Sequence, residues 1–509
     1  MPLRYRWHLD YSFHLQDSRA ESSGFYEKEK RPMLEPQTQS VHDFYDARAE
    51  DAGIWAGKNQ YFHDEDARYM RFLVPEGLKV LDLGCGNGDM LAALAPKTGI
   101  GVDISPKMVA LASSRHEDMD FRCGDIENPD FVADLAKDGP FDIIIMTDCI
   151  GELRDVQKTF DGLHGLCSPD TRMIVAYHTP LWRPILTFSE KLGMKRPSSP
   201  QSWLSAADIG AILSLSDFEE IKHEWRQIFP KHAFGIGPFL NKVFAPLPFI
   251  RGLCLRSYTV LRSRRQPPLG ELSCTVLVPC RNEKGNIEAA ITRTPRFCKN
   301  MEILFVEGHS SDGTLDEINR VIKAYPQLDI KVSVQPGKGK GDAVRHGFGM
   351  ARGDILMILD ADLTMPPEDL PKYYAAITSG KAEFVNGTRL VYPMENEAMR
   401  FLNHMANATF AWIFSFLLNQ RFTDTLCGTK VLRKRHYDQI VAGRSYFGDF
   451  DPFGDFDLIF GASKLNLKVV EIPVRYQARS YGSTQISRFR HGVLLLRMVV
   501  FAYRKLKAF

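Results

Sequence analysis

The chain has 509 residues, with 64 lysines and arginines against 62 acidic residues and a formal net charge of +2. This length exceeds what one hydrophobic core usually organises, so two or three domains are expected. A hydrophobic content of 44% and a charged content of 25% exclude a largely disordered chain. The balanced charge gives no indication of a nucleic-acid partner. Nine cysteines without a C-x-x-C pair argue against a zinc site or a disulfide framework.

The N-terminus shows no charged-then-apolar signal pattern. Residues 1–40 mix charged and polar residues with isolated aromatics, which predicts a loosely ordered tail. No apolar run reaches the ~20 residues that a membrane-spanning helix needs. Two shorter apolar stretches lie near 408–418 and 492–503.

The first half of the chain repeats a strand followed by a glycine-rich or acidic turn. This rhythm predicts a doubly wound, Rossmann-like parallel sheet, whose ligands bind beyond the carboxyl ends of the strands. Ser105 and Pro106 predict the cap and first turn of a helix. The predicted strands and turns are 79–83 with the loop 84–88, 100–102 with Asp103, 121–123 with Gly124 and Asp125, and 141–146 with Thr147 and Asp148.

These turns have the residue types that a nucleoside ligand requires. Glycines let the backbone approach a ligand closely and point amide groups at it. Asp103 lies about 20 residues past the loop, a suitable reach for a ribose diol. Asp125 could accept a hydrogen bond from an adenine amine. A glycine loop alone would also fit a dinucleotide dehydrogenase or a purely structural turn.

The complete set reads V-L-D-L-G-C-G-N-G, then V-D-I-S, then C-G-D-I. It resembles the class I S-adenosylmethionine (SAM)-dependent methyltransferases over roughly 41–230, and we assign such a domain to 41–261. The resemblance implies SAM as the cofactor. The residues expected around SAM are Asp82, Gly84, Cys85, Gly86, Gly88, Asp103, Ile104, Asp125, Ile126 and Asp148.

The sequence leaves the methyl acceptor open. The segment 148–153 is expected to face the methyl group. His178, at the end of a further strand, could act as a general base for an oxygen or nitrogen acceptor. A lone histidine in such a position is more often structural, so no catalytic base is named here. A half that binds SAM only as a scaffold is the alternative.

A basic stretch rich in proline and glycine at 262–271 predicts a linker. The strand-and-turn pattern then resumes in a second domain, 272–509. Its predicted strands and turns are 274–279 with C-R-N-E, 302–306 with E-G-H-S-S-D-G-T, 331–334 with G-K-G-K-G, and 354–359 with D-A-D.

Asp360 and Asp362 directly follow the last of these strands. In an extended segment, side chains at positions i and i+2 point to the same side. Two carboxylates placed in this way can hold Mg²⁺ or Mn²⁺, while diphosphate oxygens and water fill the remaining positions. The metal would stabilise charge that develops on a leaving diphosphate.

Together with N-G-T-R-L, D-T-L-C-G-T-K and G-D-F-D, these stretches resemble the inverting family 2 glycosyltransferases of the GT-A fold. Within that family they resemble the polyprenyl- and dolichyl-phosphate branch. The resemblance implies a nucleotide-diphosphate sugar as donor, a metal on Asp360 and Asp362, and catalytic roles for Asp362 and Arg389. It places Pro279, Arg281, Glu283, Glu307, Asp312, Lys338, Asp360 and Ala361 at the donor, and Arg389, Asp424, Gly428 and Lys430 at the acceptor.

The second half departs from this family at three places. Glu307 stands where the family usually has aspartate, and Thr364 stands where it often has glutamine. The usual Gly-Glu-Ser-Lys appears as Gly-Ser-Thr-Gln at 482–485. These departures leave a third metal contact and the phosphate loop unassigned.

Two acceptor classes make different demands on the site. A sugar hydroxyl needs a carboxylate base, for which Asp424, Asp455 and Asp457 are candidates. A polyprenyl phosphate is already anionic and needs cations instead, such as Arg479 and Arg488. The C-terminal stretch alternates such cations with apolar residues, which favours a helix at a membrane surface. Packing on the core or on a second subunit is the alternative for this stretch.

We therefore expect a bifunctional enzyme on the cytoplasmic face of a membrane. One half would transfer a sugar to a lipid phosphate, and the other would methylate within the same glycan or glycolipid pathway. Transfer to a glycan or small-molecule hydroxyl is the alternative. The sequence does not identify the sugar, the nucleotide or the oligomeric state, and a homo-oligomer is possible.

Overall fold

A computed structural model describes residues 34–199, 201–392, 401–447, 454, 456–479, 481 and 488–508. These residues form two seven-stranded sheets, one in each half of the chain, and helices flank both sheets. The prediction of two doubly wound α/β domains is therefore confirmed.

The N-terminal sheet has the strand order β3-β2-β1-β4-β5-β7-β6. Its first five strands run parallel, and β7 lies antiparallel between β5 and β6. The carboxyl ends of the parallel strands therefore meet at one edge. The strands are β1 (Lys79–Leu83), β2 (Thr98–Asp103), β3 (Asp120–Cys123), β4 (Phe141–Thr147), β5 (Cys167–His178), β6 (Phe218–Arg226) and β7 (Arg256–Ser263).

Ten α-helices accompany this sheet in the described residues. Ser105 caps α5 as predicted, since its hydroxyl accepts the amide hydrogen of Met108 at 3.2 Å. The helices are α1 (Pro36–Asp46), α2 (Ala52–Lys58), α3 (Gln60–Leu73), α4 (Asp89–Ala93), α5 (Pro106–Arg115), α6 (Pro129–Leu135), α7 (Val156–Leu163), α8 (Arg183–Lys191), α9 (Ala206–Leu215) and α10 (Ile236–Phe239).

Two predicted boundaries are corrected by the structure. Helix α1 begins at Pro36, so the loosely ordered tail predicted for 1–40 is wrong from that residue on, while 1–33 lie outside the described residues. Strand β7 continues to Ser263, because Arg262 and Ser263 pair with β6. The connection between the domains therefore starts at Arg264 rather than at Arg262.

The C-terminal sheet has the order β10-β9-β8-β11-β13-β12-β14. Strands β10, β9, β8 and β11 run parallel, and β13 lies antiparallel to β11 and β12. The strands are β8 (Cys274–Cys280), β9 (Met301–Glu307), β10 (Asp329–Val334), β11 (Ile355–Ile358), β12 (Phe384–Thr388), β13 (Lys430–Arg433) and β14 (Val469–Pro473).

The two apolar stretches of the sequence lie in helices α15 and α18, which pack with one face on the core. Phe414 of α15 and Met498 of α18 are fully buried, whereas Trp412 is 60% exposed. No described helix is long and apolar enough to span a bilayer. The helices of this half are α11 (Ile287–Thr292), α12 (Thr314–Ala324), α13 (Lys340–Met350), α14 (Leu370–Thr378), α15 (Phe401–Leu418), α16 (Lys434–Ala442), α17 (Phe456–Lys464) and α18 (Arg488–Leu506).

Buried polar contacts join the two halves. Arg172 of β5 donates to both carboxylate oxygens of Glu383 at 2.6 Å, and each side chain is 5% exposed. The ammonium group of Lys507 pairs with Glu224 of β6, and both side chains are buried. Because a buried charge that loses its partner is strongly destabilising, these pairs fix how the halves sit together.

Candidate functional sites

The glycine loop of the N-terminal half follows β1 in an unusual backbone conformation. Gly84, Gly86 and Gly88 have φ values of 79°, 53° and 78°, a region that residues with a side chain adopt at a cost. A Cβ on Gly84 would lie 2.8 Å from the Cβ of Cys149, just beyond β4. The loop is therefore held close to the carboxyl end of the neighbouring strand.

Two carboxyl groups lie beneath this loop. Asp103 accepts the amide hydrogens of Gly86 and Ser105, both at 2.9 Å. Asp82 is buried, and its Oδ1 has no hydrogen-bond partner among the described residues. Burial, with a smaller contribution from the charge of Asp103, raises the pKa of Asp82 to about 8. An unpartnered buried oxygen marks a place where a ligand can donate a hydrogen bond.

The third acidic turn lies beside these groups, at the end of β3. Asp125 accepts the amide hydrogen of Glu127 at 2.8 Å, which orders the turn. Ile126 is buried, and Ile104 is half-buried. Carboxylates at the ends of three adjacent strands, apolar side chains beside them and an open glycine loop fit the hydroxyl, amine and aromatic groups of SAM.

Asp148 is the centre of an ion-pair network at the end of β4. His178 Nδ1 lies 3.0 Å from its carboxylate, and the Arg256 guanidinium donates to the same oxygen. Arg256 is itself held by Asp66 at 2.8 Å. Partial burial opposes ionisation, but Arg256 and His178 hold the pKa of Asp148 well below its usual range. Sequence reasoning missed Arg256 and Asp66, since no motif connects α3 with β7.

A small cavity opens at this network, lined by Asp148, Ile150, Gly151, Tyr177, His178 and residues 201–204. The Phe62 ring stacks on His178 at 5.7 Å with a 10° interplanar angle. Among the residues that the structure describes, none forms a hydrogen bond with His178 Nε2. His178 is thus oriented from one side, and its other nitrogen is available.

Glu152 lies on the other side of the same region. The Tyr45 hydroxyl of α1 donates to it at 2.5 Å, and Ser199 donates as well. Burial raises the pKa of Glu152 to about 7. Sequence reasoning placed 148–153 here but did not identify this carboxyl group, whose environment depends on α1.

In the C-terminal half, the predicted donor residues surround the ends of β8 and β9. Glu283 is buried and accepts a hydrogen bond from the Asn286 amide at 2.7 Å. Glu307 is buried and accepts the amide hydrogens of His309 and Ser310. The glutamate that this chain has in place of the family's usual aspartate therefore orders the turn. Asp312 accepts the amide hydrogen of Thr314 at 3.0 Å and lies 3.4 Å from the Tyr481 hydroxyl.

The remaining donor candidates differ in exposure. Pro279 is half-buried, Arg281 and Lys338 are exposed, and Ala361 is buried. Lys340, rather than Lys338, extends from the glycine-lysine loop to the D-x-D pair. The alternating sequence G-K-G-K-G could not distinguish the two lysines, because the start of α13 at Lys340 decides which one turns inward.

Each carboxylate of the D-x-D pair is bound by a cationic side chain. Lys340 Nζ lies 2.7 Å from Asp360, and Arg479 Nη2 lies 2.6 Å from Asp362. Arg479 also lies 3.4 Å from Glu283, so it links the pair to the donor turn. Burial opposes ionisation of Asp360, but Lys340 holds its pKa below the usual value.

This pair fits a divalent metal ion, since carboxylate oxygens are the ligands that Mg²⁺ and Mn²⁺ prefer. The Thr364 hydroxyl donates to Asp362 at 2.8 Å and helps to orient this carboxylate. A Cβ on Gly428 would lie 1.9 Å from an Asp360 oxygen, so glycine is required beside the pair. A separate acidic group, Asp170, Glu383 and His436, lies between the domains, where Arg172, Arg433 and Arg435 already pair with its carboxylates.

The residues predicted to face the acceptor form a buried network. Arg389 donates to both oxygens of Asp424 at 2.6 and 2.8 Å, and Asp424 is fully buried. Lys430 is buried and donates to the Cys427 carbonyl oxygen. Asp457 lies 3.0 Å from Arg444. The described candidate bases are therefore both paired with arginines.

Several predicted site residues fall where the structure gives no description. Asp455, the segment 482–487 and the side chain of Arg488 lie outside the described residues. The role of Asp455 as a candidate base and that of Arg488 at the acceptor stay predictions, and the segment 482–487 has no assigned role.

Comparisons with known proteins agree with this division of the chain. Residues 58–234 match the family described as "Methyltransferase domain", and residues 275–439 match "Glycosyl transferase family 2". Dolichol-phosphate mannosyltransferase of Pyrococcus furiosus is 28% identical over 242 residues, which are 46% of this chain and 64% of that relative. Undecaprenyl-phosphate 4-deoxy-4-formamido-L-arabinose transferase of an Enterobacter species is 25% identical over 224 residues, covering 42% and 63%. The chain thus spans less than two thirds of these curated relatives' length.

Solved structures similar to each half are also found. A SAM-dependent methyltransferase from Thermotoga maritima, described as a possible histamine N-methyltransferase, is 15% identical. The match covers 44% of this chain and all of that one, with a TM-score of 0.34. Glucosyl-3-phosphoglycerate synthase from Mycobacterium tuberculosis, in complex with Mn²⁺ and UDP, is 15% identical over 46% of this chain and 80% of that one, with a TM-score of 0.34.

Sequence motifs, sheet topology and family matches assign the same two regions. The chain joins a SAM-dependent methyltransferase domain to a domain of glycosyl transferase family 2.

Proposed function

We propose that the C-terminal half transfers a sugar from a nucleotide-diphosphate donor to a polyprenyl-phosphate type of lipid. The observation that carries this proposal is the D-x-D pair at the exit of β11, bound by Lys340 and Arg479 and flanked by the donor turns. Two curated relatives are named for dolichol-phosphate and undecaprenyl-phosphate transfer, which supports this acceptor class.

Asp360 and Asp362 would hold Mg²⁺ or Mn²⁺. A metal bound there supplies positive charge for the diphosphate that leaves the sugar. Lys340 and Arg479, already at these carboxylates, are placed to pair with diphosphate oxygens once a donor is bound. Glu283 and Asp312 would orient the nucleotide beside them.

The environment of the candidate bases favours a phosphate acceptor over a hydroxyl acceptor. A hydroxyl needs a carboxylate that can take its proton. Asp424 directs both oxygens at Arg389, and Asp457 is paired with Arg444. An acceptor phosphate requires no proton removal, and arginines would position it.

Helices α15 and α18 would deliver the lipid by resting on a membrane surface. Their buried faces hold them on the core, while Trp412, Leu496 and Val500 are more than half exposed. Exposed tryptophan and apolar residues between basic ones suit the interfacial region of a bilayer. We propose that the protein lies peripherally on the cytoplasmic face of a membrane.

The test uses the full chain in detergent with Mn²⁺, a panel of nucleotide-diphosphate sugars and undecaprenyl phosphate. We expect a labelled lipid product with at least one donor. Asp362→Asn should lower transfer by about 100-fold or more, because the leaving diphosphate loses its metal. Full transfer by this variant would contradict the proposed site.

For the N-terminal half we propose methyl transfer from SAM to a hydroxyl or amine within the same glycan or glycolipid pathway. His178 is the proposed proton acceptor, and Asp148 positions it through Nδ1. SAM, when bound, supplies an electrophilic methyl group. His178 Nε2 would take the acceptor's proton, while Asp148 and Arg256 keep the ring oriented. SAM binding without methyl transfer to any glycan or glycolipid acceptor would favour a scaffold instead.

A further inference from the structure

A segment of the methyltransferase half exposes an unusual number of large apolar side chains. Residues 231–253, here called the docking segment, follow β6 and include α10 and short helical turns at 240–244 and 251–253. Phe234 and Phe249 are 106% and 91% exposed, and Ile236, Phe239 and Leu253 are more than half exposed. Apolar patches of this kind on a folded domain mark interaction surfaces.

The docking segment is fixed in place rather than loosely attached. Asn241 is buried; its amide group donates to the Phe229 carbonyl and accepts the Phe229 amide hydrogen at 2.8 and 3.0 Å. Ala233 and Phe234 have φ values of 40° and 53°, which bulky residues avoid. An anchored segment with a strained turn therefore presents the Phe234 ring to the exterior.

The exposed face continues onto the glycosyltransferase half. A groove of about 880 Å³ lies between the docking segment and helices α15 and α18. Val243 lines it from one half, and Phe416 and Val500 line it from the other. The Tyr503 hydroxyl of α18 lies 3.4 Å from the Val243 carbonyl oxygen. Both halves thus contribute to one apolar surface.

The chain segments that form this surface carry charge of a single sign, while the neighbouring α3, whose Tyr61 contacts Asn241, carries Glu65. The described segments 225–270, 401–423 and 488–508 that frame it contain no aspartate or glutamate, although the chain has 62. Lys242, Arg504 and Lys505 line the groove, and Arg251 lies over the Phe416 ring at 5.7 Å. Exposed aromatics with cations and no acidic residues complement an anionic lipid surface.

We propose that the docking segment binds the surface of an anionic phospholipid bilayer, so that the methyltransferase half holds its own contact with the membrane. This contact lies beside α15 and α18, and both halves then rest on one bilayer face. The inference rests on the proposed function only for the lipid contact of those two helices. The charge pattern and the exposed phenylalanines of the docking segment carry it independently.

The test measures binding of the full chain to vesicles of phosphatidylcholine with about 30% phosphatidylglycerol by flotation. Phe234→Ser combined with Phe249→Ser should weaken vesicle binding by about tenfold or more, since two aromatic anchors are lost. Vesicles of phosphatidylcholine alone, or high salt, should weaken wild-type binding as well. Leu215→Ser is the matched control, because Leu215 is an apolar residue that is 67% exposed. It ends α9, just before the start of β6, whereas the docking segment follows the end of that strand.

Unchanged vesicle binding by the double variant would overturn the inference, as would wild-type protein that fails to float. Sedimentation of the same proteins tests whether a second copy of the chain, rather than a bilayer, covers this surface. A wild-type dimer that dissociates in the variant, with vesicle binding retained, would assign this face to a second copy of the chain and overturn the inference. Sugar transfer to a short-chain prenyl phosphate in detergent tests the proposed function separately, because it requires no bilayer.

Discussion

The carboxylates of the D-x-D pair are not equivalent in their surroundings. Lys340 comes from the start of α13 and binds Asp360, whereas Arg479 comes from the chain beyond β14 and binds Asp362. Arg479 is 27% exposed, so its ion pair with Asp362 is partly screened by solvent. A metal ion must compete with this guanidinium for Asp362.

Replacing Arg479 by alanine should therefore tighten Mn²⁺ binding by about fivefold, since a partly exposed pair contributes up to about 1 kcal/mol. Titration calorimetry on the protein without nucleotide measures this affinity. Arg475→Ala is the control, because Arg475 lies over the Tyr392 ring at 5.2 Å instead. Weaker Mn²⁺ binding by Arg479→Ala would show that the arginine supports the metal site rather than competing for it.

His178 is the residue on which the proposed methyl transfer depends most. His178→Asn should lower transfer to glycan or glycolipid acceptors from a membrane extract by about 100-fold, while SAM affinity stays within about twofold. Asp148→Asn should lose less, because it disturbs only the orientation of the ring. His346→Asn, in the other half, is the control. A His178→Asn variant with full activity would exclude this histidine as the base.

The sequence allowed prediction of the residues at strand ends, and the reason is geometrical. Parallel strands align their carboxyl ends, so the positions of Asp82, Asp103 and Asp360 near strand ends could be predicted from strand and turn patterns, whereas the role of Asp82 at SAM is implied by the family resemblance. Arg256 and Asp66 could not, because their contact joins positions 190 residues apart. Asp424 was predicted as an acceptor residue or base from its motif, but only the packed structure reveals that Arg389 occupies both of its oxygens.

At the scale of elements, helices α15 and α18 each have a buried face and an exposed face. The sequence could not separate packing on the core from contact with a membrane, because both require apolar residues. In the structure one face of each helix is buried and the other is exposed, so the proposed membrane contact concerns the exposed face alone. Phe414 packs in the core cluster with Leu417 and Met498, and Trp412 points away from it.

Substitutions on the two faces of α15 should therefore affect different properties, stability on the buried face and vesicle binding on the exposed face. Phe414→Ala should lower the free energy of unfolding by about 3–5 kcal/mol through a cavity. Trp412→Ala should change it by no more than about 0.5 kcal/mol and should weaken vesicle binding. Denaturant unfolding and flotation measure the two effects. Strong destabilisation by Trp412→Ala would place that ring in a packing role.

For the whole molecule, the buried interface between the halves has consequences for stability. Lys222 of β6 is buried against α17, where its ammonium group donates to the Ser463 carbonyl oxygen at 3.3 Å. Burial lowers the pKa of Lys222 to about 7. The unfolded chain therefore binds more protons than the folded chain between pH 7 and the ordinary lysine pKa near 10.5, so stability from this group rises across that range.

Lys222→Met should accordingly stabilise the protein by about 1–3 kcal/mol at neutral pH. The gain over wild type should be largest below pH 7 and should shrink towards pH 10.5, where wild-type lysine no longer carries the penalty. Thermal or denaturant unfolding at several pH values gives this difference. Lys158→Met, at an exposed position of α7, is the control. A gain that does not depend on pH would show that burial of the charge is not its cause.

The rigid interface also bears on the link between the two activities. The pairs Arg172–Glu383 and Lys507–Glu224 hold the sheets in one arrangement. Neither half is therefore free to move on a flexible tether. A shared membrane face and a shared pathway are consistent with that arrangement.

The most direct test of the account compares undecaprenyl phosphate with undecaprenol as acceptors, in the same detergent with Mn²⁺ and the same nucleotide sugars. We predict labelled product from the phosphate and none from the alcohol. We also predict loss of that product in Asp360→Asn and Asp362→Asn but not in Asp438→Asn, an exposed control. Equal transfer to the alcohol, or full transfer by either D-x-D variant, would contradict the proposed function.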